Sequence, residues 1–161
     1  MFREFGESRD LAFAETVYET TDTMNKLILT AREATLTGSL KILSEPVTWA
    51  VHYWNNTKDV ISWRCEVPKP GSYRVELNYS LASTMKGGIF SIGIGKDILI
   101  ASALPTLGWD DFKTFSPGLL IIREKGVIEI EIRAICLPDR PGASMPDIAW
   151  ISLTPVKEPS F

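Results

Sequence analysis

Two short stretches of the chain set aromatic rings beside planar polar side chains: His52-Tyr53-Trp54-Asn55-Asn56 and Gly108-Trp109-Asp110-Asp111-Phe112. An indole or phenol face offers flat apolar area, and an amide or carboxylate beside it offers hydrogen bonds in a plane. A ring with one apolar C–H face and a rim of hydroxyls, such as a pyranose, needs both together. Both stretches lie near turns, where a ring can stay in contact with solvent. Tyr53, Trp54 and Trp109 are therefore the rings expected to be exposed, with Asn55 and Asp110 as polar neighbours. Trp63 belongs to the core by its alternation, and Trp49 and Trp150 are expected there as well.

Other chemistries find little support. A single histidine, His52, and two cysteines some seventy residues apart give no zinc-ligand spacing. His52 reads as a strand-end residue beside Tyr53 and Trp54, and there is no Gly-x-Ser-x-Gly elbow. Gly93-Ile94-Gly95 lacks the third glycine and the following helix of a dinucleotide fingerprint. Asp110 and Asp111 are consecutive, so on an extended chain they point apart, and one of them is expected to cap the turn after Trp109. No catalytic residues are assigned, and the chain is not expected to be an enzyme.

The elements that position these residues are strands. In Asp59–Tyr79, Ile61, Trp63, Cys65 and Val67 alternate with Ser62, Arg64 and Glu66, and Tyr73, Val75, Leu77 and Tyr79 alternate with Ser72, Arg74, Glu76 and Asn78. Period-two alternation on both sides of Lys69-Pro70-Gly71 marks half-buried strands, whose dry face must press on a second sheet. Further strands are expected over Ile28–Thr35, Val47–His52, Gly88–Ile94, Ile98–Ala101, Lys113–Phe115 with Leu119–Ile122, Val127–Ile135 and Ala149–Thr154. About nine short strands and no long amphipathic helix predict an all-β, antiparallel β-sandwich of jelly-roll type.

With 161 residues, of which 45% are hydrophobic and 23% charged, one domain is expected. Its sandwich is placed over residues 27–155, with an N-terminal extension over 1–26 packed on it and a tail over 156–161. A net charge of -3 with interspersed signs offers no basic stripe for nucleic acid and no polybasic segment for a membrane. The start MFREFGESRD lacks the features of a signal peptide. A complete chain is thus expected in the cytoplasm, and an excised module outside the cell or in the periplasm. Cys65 and Cys136 fall on apolar faces and are read as free buried thiols.

The ordered motifs LTAREATLTG, YWNNTKDVISWRCEVPKPGSYRVELNYS, LPTLGWDDFKTF, GVIEIEIRAI and PDIAWISLTP resemble the galactose-binding-like β-sandwich modules related to carbohydrate-binding module families six and thirty-five. They are especially similar to the accessory domains of α-L-fucosidases and sulfatases. The resemblance spans roughly Leu27 to Pro155. It implies a non-catalytic carbohydrate-binding module, with carbohydrate and a glycoside hydrolase or sulfatase domain as partners. It also implies a structural calcium held by Glu33 and Asp147, although Ala31 stands where a second first-strand acid is often found. The implied ligand site combines Tyr53 or Trp54 with Trp109, and Met145 replaces the asparagine usual two residues before the last-strand acid. With Asn55 and Asp110, these are the candidate ligand-binding residues. The alternative is a structural or protein-interaction sandwich that has lost sugar binding.

Overall fold

The alternating runs form the two longest early strands of the computed structural model, which describes residues 20–21 and 25–157. In β6 (Val60–Val67) and β7 (Gly71–Ser80) the residues Ile61, Trp63, Val67, Tyr73, Val75, Leu77 and Tyr79 are all buried, while Arg64 and Glu66 face water. The other strands, in chain order, are β1 (Thr20–Thr21), β2 (Leu27–Thr30), β3 (Thr35–Leu36), β4 (Lys41–Leu43), β5 (Ala50–His52), β8 (Ile89–Ile94), β9 (Asp97–Ser102), β10 (Lys113–Ile122), β11 (Gly126–Cys136) and β12 (Asp147–Lys157). One sheet runs β10-β7-β12-β5-β4, with β1 and β2 also pairing β12; the other runs β3-β6-β11-β8-β9. Pairing is antiparallel throughout. The molecule is the all-β antiparallel sandwich that the alternation predicts.

All nine expected strands are present, and three short ones (β1, β3 and β4) join them. The extension expected over residues 1–26 falls mostly outside the described residues; of its described part, Thr20 and Thr21 pair with Lys157 and Val156. At the other end β12 continues two residues into the expected tail. The first long strand breaks after Thr30, where Ala31–Glu33 form a 3₁₀ turn: the Thr30 amide and hydroxyl both donate to Glu33 Oε1 at 3.0 Å. The two expected pieces of β10 are one strand with a register shift between Phe115 and Gly118, since Pro117 has no N–H to give the ladder.

Between the sheets lie Trp63, Tyr73, Tyr79 and Phe90, each at most 2% exposed. Their polar handles are paired: Trp63 Nε1 donates to the Thr30 carbonyl at 2.8 Å, and the Tyr73 hydroxyl to the Lys69 carbonyl at 2.6 Å. Tyr79 stacks on Phe115 at 4.4 Å and accepts from the Leu104 amide at 2.9 Å. Aromatic side chains buried in this way stabilise the core by area and remove no unpaired donor from water.

Three expectations about burial are corrected. Trp49 is exposed, because β5 begins only at Ala50 and the indole precedes the alternating segment. Trp150 is half-buried on the outer face of the larger sheet, because a register shift between Ile148 and Trp150 pairs it with Asn78 and Thr30. Cys136 is exposed, since the shift between Ala134 and Cys136 ends the inward alternation of β11. Cys65 is free and half-buried.

The turn before β4 fixes the start of the loop end of the sandwich. Gly38 has φ +64°, and a Cβ there would overlap the Asp59 carboxylate. Asp59, 5% exposed, accepts from the Ser39 amide and hydroxyl, both at 3.2 Å. Gly38→Ala is therefore expected to lower stability by about 1–3 kcal/mol through left-handed strain and displacement of Asp59. Urea unfolding measures it, and an unchanged midpoint would show that the turn yields freely.

Candidate functional site

At the end of β5 the chain performs a local inversion. Tyr53 has φ +65°, a conformation uncommon for a bulky residue, and the Asn55 amide closes a tight turn onto the Tyr53 carbonyl at 3.1 Å. Two consecutive rings are thereby sent opposite ways. Tyr53 is 51% exposed, whereas Trp54 is fully buried and meets Phe90 edge-on at 5.9 Å. The expected exposure of Trp54 is corrected for this reason. The inverted segment is held from the far side by the Met145 amide, which donates to the Trp54 carbonyl at 2.7 Å. The Met145 side chain is fully buried and lies where a Cβ on Gly88 would touch its sulfur, so it does not face a ligand.

Trp109 comes from the long connection between β9 and β10. The Leu107 amide donates to Asp111 Oδ2 at 2.8 Å, and the Thr106 amide donates to the Leu81 carbonyl at 2.9 Å. Asp111 is thus the acid that closes the turn, as one of the pair was expected to do. This contact holds its carboxyl below the usual carboxylate range. Asp110 is exposed and lies outside the cleft lining, so the structure does not bring it to the other candidates.

Tyr53, Asn55 and Trp109 flank one open cleft of about 580 Å³, within the roughly 300–1,000 Å³ of small-molecule sites. Three of the five expected ligand residues therefore meet. Sequence reasoning missed the rest of the lining: Leu43 ends the short strand β4, and Glu45, Pro46 and Gly142 to Ser144 lie in irregular segments without periodicity. Ser144 sets its hydroxyl 3.1 Å from the Met145 carbonyl.

His52 and Asp147 also line the cleft, and sequence reasoning did not join them. Their meeting follows from register. Lys41 pairs with His52, Ile148 with Val51 and Asp147 with Ser80, so Lys41, His52, Asp147 and Ser80 form one row on the outer face of the larger sheet. His52 Nδ1 lies 3.1 Å from Asp147 Oδ2, both residues are at most 9% exposed, and His52 Nε2 is buried without a partner. Burial pushes the Asp147 carboxyl up to about 7 and pulls the His52 imidazole below its ordinary value. An ion-pair distance with both groups driven toward neutrality describes one shared proton and a pair neutral overall.

These residues do not fit the calcium site that the resemblance implies. Calcium takes six to eight oxygens, but Glu33 turns Oε1 back onto Thr30 while Asp147 faces a nitrogen of His52. Among the described residues no three His, Cys, Asp or Glu side chains gather into a set that could hold a metal.

Among the solved structures similar to this one are carbohydrate-binding modules and an enzyme that carries one. A family 35 carbohydrate binding module from Clostridium thermocellum superposes with TM-score 0.64 at 17% identity, over 80% of this chain and 96% of that one. The C-terminal family 6 module of LamC, a marine laminarinase from Zobellia galactanivorans, gives 0.65 at 23%, over 81% and 99%. The Podospora anserina GH26-CBM35 β-(1,4)-mannanase gives 0.65 at 16%, over 85% of this chain and 29% of the enzyme. No family model and no curated protein matches the sequence. The chain has the β-sandwich fold of the carbohydrate-binding modules.

The shared proton has a signature in stability. Taken alone, the Asp147 shift makes stability fall as pH rises from about 4 to about 7, because the folded state keeps a proton the unfolded chain has lost. Taken alone, the His52 shift makes stability rise with pH toward the ordinary imidazole range, because the unfolded chain holds a proton that burial refuses. In the intact pair the two offset. Between about pH 5 and about pH 7.5, the urea midpoint should rise for Asp147→Asn, fall for His52→Gln and change least for the wild type. Parallel profiles for all three proteins would contradict a shared proton.

Proposed function

We infer that the protein is a non-catalytic carbohydrate-binding module whose loop-end cleft takes an uncharged saccharide. One observation carries this reading: Tyr53 and Trp109 line the same open cleft, and Asn55 and Ser144 are on its lining as hydrogen-bonding groups. A flat phenol, a flat indole and short polar side chains match a pyranose, whose faces are apolar and whose rim is hydroxylated. Among the described residues no lysine or arginine lines the cleft, and its ionisable groups are Glu45, Tyr53 and the His52–Asp147 pair. A sugar acid would meet carboxyl groups with no cation to answer it, so the chemistry favours a neutral ring.

The rival reading, a protein-interaction sandwich, needs these rings covered by a neighbouring segment. Tyr53 is 51% exposed, and the glycan-binding measurements below distinguish the two readings. Catalysis has little to work with: Asp111 is engaged with Leu107, Asp110 lies outside the cleft, and no hydroxyl or thiol is bonded to His52 Nε2. Attachment to a glycan-degrading enzyme is the natural use of such a module. The mannanase, in which the matched region is under a third of the chain, gives support by likeness of fold.

Trp109→Ala and Tyr53→Ala should each weaken binding of a neutral oligosaccharide by about fivefold or more, with far-ultraviolet circular dichroism unchanged. Isothermal titration against glucan, galactan and mannan oligosaccharides provides the measurement. A folded protein that binds none of a broad glycan array at millimolar ligand would defeat the sugar-binding reading.

A further inference from the structure

The sandwich is open along one flank, where the edge strands of its two sheets meet. β9 ends one sheet and β10 ends the other, and among the described residues no ladder joins them. Between these edges lies a slot of about 260 Å³ that reaches the aromatic core, with Tyr79, Phe90 and Phe115 on its lining. Ile100 and Leu104 line it too, and at 66% and 54% exposed they bring apolar surface to its solvent side. No residue of this lining belongs to the cleft that holds Tyr53 and Trp109.

Two features of the sequence leave this space. The half-buried positions of β9 are Asp97, Leu99 and Ala101, which alternate with the exposed Ile98 and Ile100. Leu99 fills its share of the gap, since a Cβ on Gly118 of β10 would lie 3.2 Å from its Cδ2. Ala101, paired with Phe90, brings only a methyl group to the next position. On the opposite edge β10 carries one extra residue between Phe115 and Gly118, and a bulge of this kind bends the strand that holds it. The space between a short inward side chain and a bent edge is filled by neither sheet.

The slot meets one unanswered polar group of the core. Tyr79 is 1% exposed, and its hydroxyl accepts from the Leu104 amide at 2.9 Å but gives its own proton to no acceptor among the described residues. Burial pushes this phenol up to about 12, so the proton stays in place. The Ser116 hydroxyl is engaged already, accepting from Arg74 at 2.8 Å and donating to the Val75 carbonyl at 3.2 Å. Among the described residues no lysine, arginine or carboxylate is on the lining, so a charged group would lose its water there without gaining a partner.

We propose that the slot is a second ligand site, for a small uncharged aromatic molecule that carries one hydrogen-bond acceptor, an aryl ketone or aryl ester in type. Its ring packs among Tyr79, Phe90 and Phe115, and its acceptor takes the Tyr79 proton. An apolar cavity of about 150 Å³ already holds a benzene ring, so about 260 Å³ admits a ring with a short substituent. Because no residue is shared with the cleft, either site can fail without the other.

Titration of the full chain, labelled at its isoleucine and leucine methyl groups, with acetophenone and with ethylbenzene tests the assignment by nuclear magnetic resonance. Acetophenone should move the Leu99, Ile100 and Leu104 methyl signals, and ethylbenzene, of similar shape but without an acceptor, should bind about fivefold more weakly. Tyr79→Phe should remove that difference. Ala101→Leu fills the slot and should abolish binding of both rings, and Ala101→Val, a smaller change, should weaken both if the leucine is not accommodated. Trp109→Ala should leave both affinities unchanged. The proposal is overturned if neither ring binds to the folded protein, if the two bind alike, if the Ala101 variants keep full affinity, or if binding is lost with Trp109 instead.

Discussion

The cleft depends on the burial of one ring. With the Trp54 indole inserted against Phe90 and its carbonyl held by the Met145 amide, the residue before it has one way out, and Tyr53 accepts a left-handed backbone to take it. The anchor is costly in detail, since Trp54 Nε1 is buried without a partner. An unpaired buried donor costs about 1–3 kcal/mol, against several kcal/mol for removing a tryptophan from a packed core. Burial wins, and the site inherits its geometry from that outcome.

Met145 serves the scaffold twice. Met145 contributes its backbone to the inverted segment and its side chain to the core beneath Gly88. Polar duty at that wall passes to the neighbouring Ser144, and Asn55 stands on the facing loop. Two residues further on, Asp147 starts β12 beside His52, so the cleft is lined by a buried pair whose members burial drives toward their neutral forms. A buried pair driven toward neutrality, the Glu45 carboxylate and a lining without lysine or arginine among the described residues together set the kind of ligand that can be desolvated there.

Much of this was legible in the residues. Alternation over Asp59–Tyr79 gave both layers of the sandwich, because a strand with one wet face allows few alternatives. The ring of Tyr53 was legible as exposed because it sits near a turn, whereas Trp109, also near a turn, is half-buried against the core although it lines the cleft. What alternation cannot report is a backbone that leaves its regular path. The left-handed Tyr53 sends Trp54 inward, the β12 shift at Ile148 sends Trp150 outward, and the late start of β5 leaves Trp49 on a loop. The His52–Asp147 pair was hidden for another reason: it is made by register across two strands nearly a hundred residues apart in sequence, with no local signal.

The most direct test follows the indole N–H signals in an amide-type nuclear magnetic resonance spectrum of the ¹⁵N-labelled protein during titration with neutral oligosaccharides. The account predicts that the Trp109 signal moves while the buried Trp54 and Trp63 signals stay in place. A saturating sugar that leaves Trp109 still, or that shifts only the buried indoles, would contradict it.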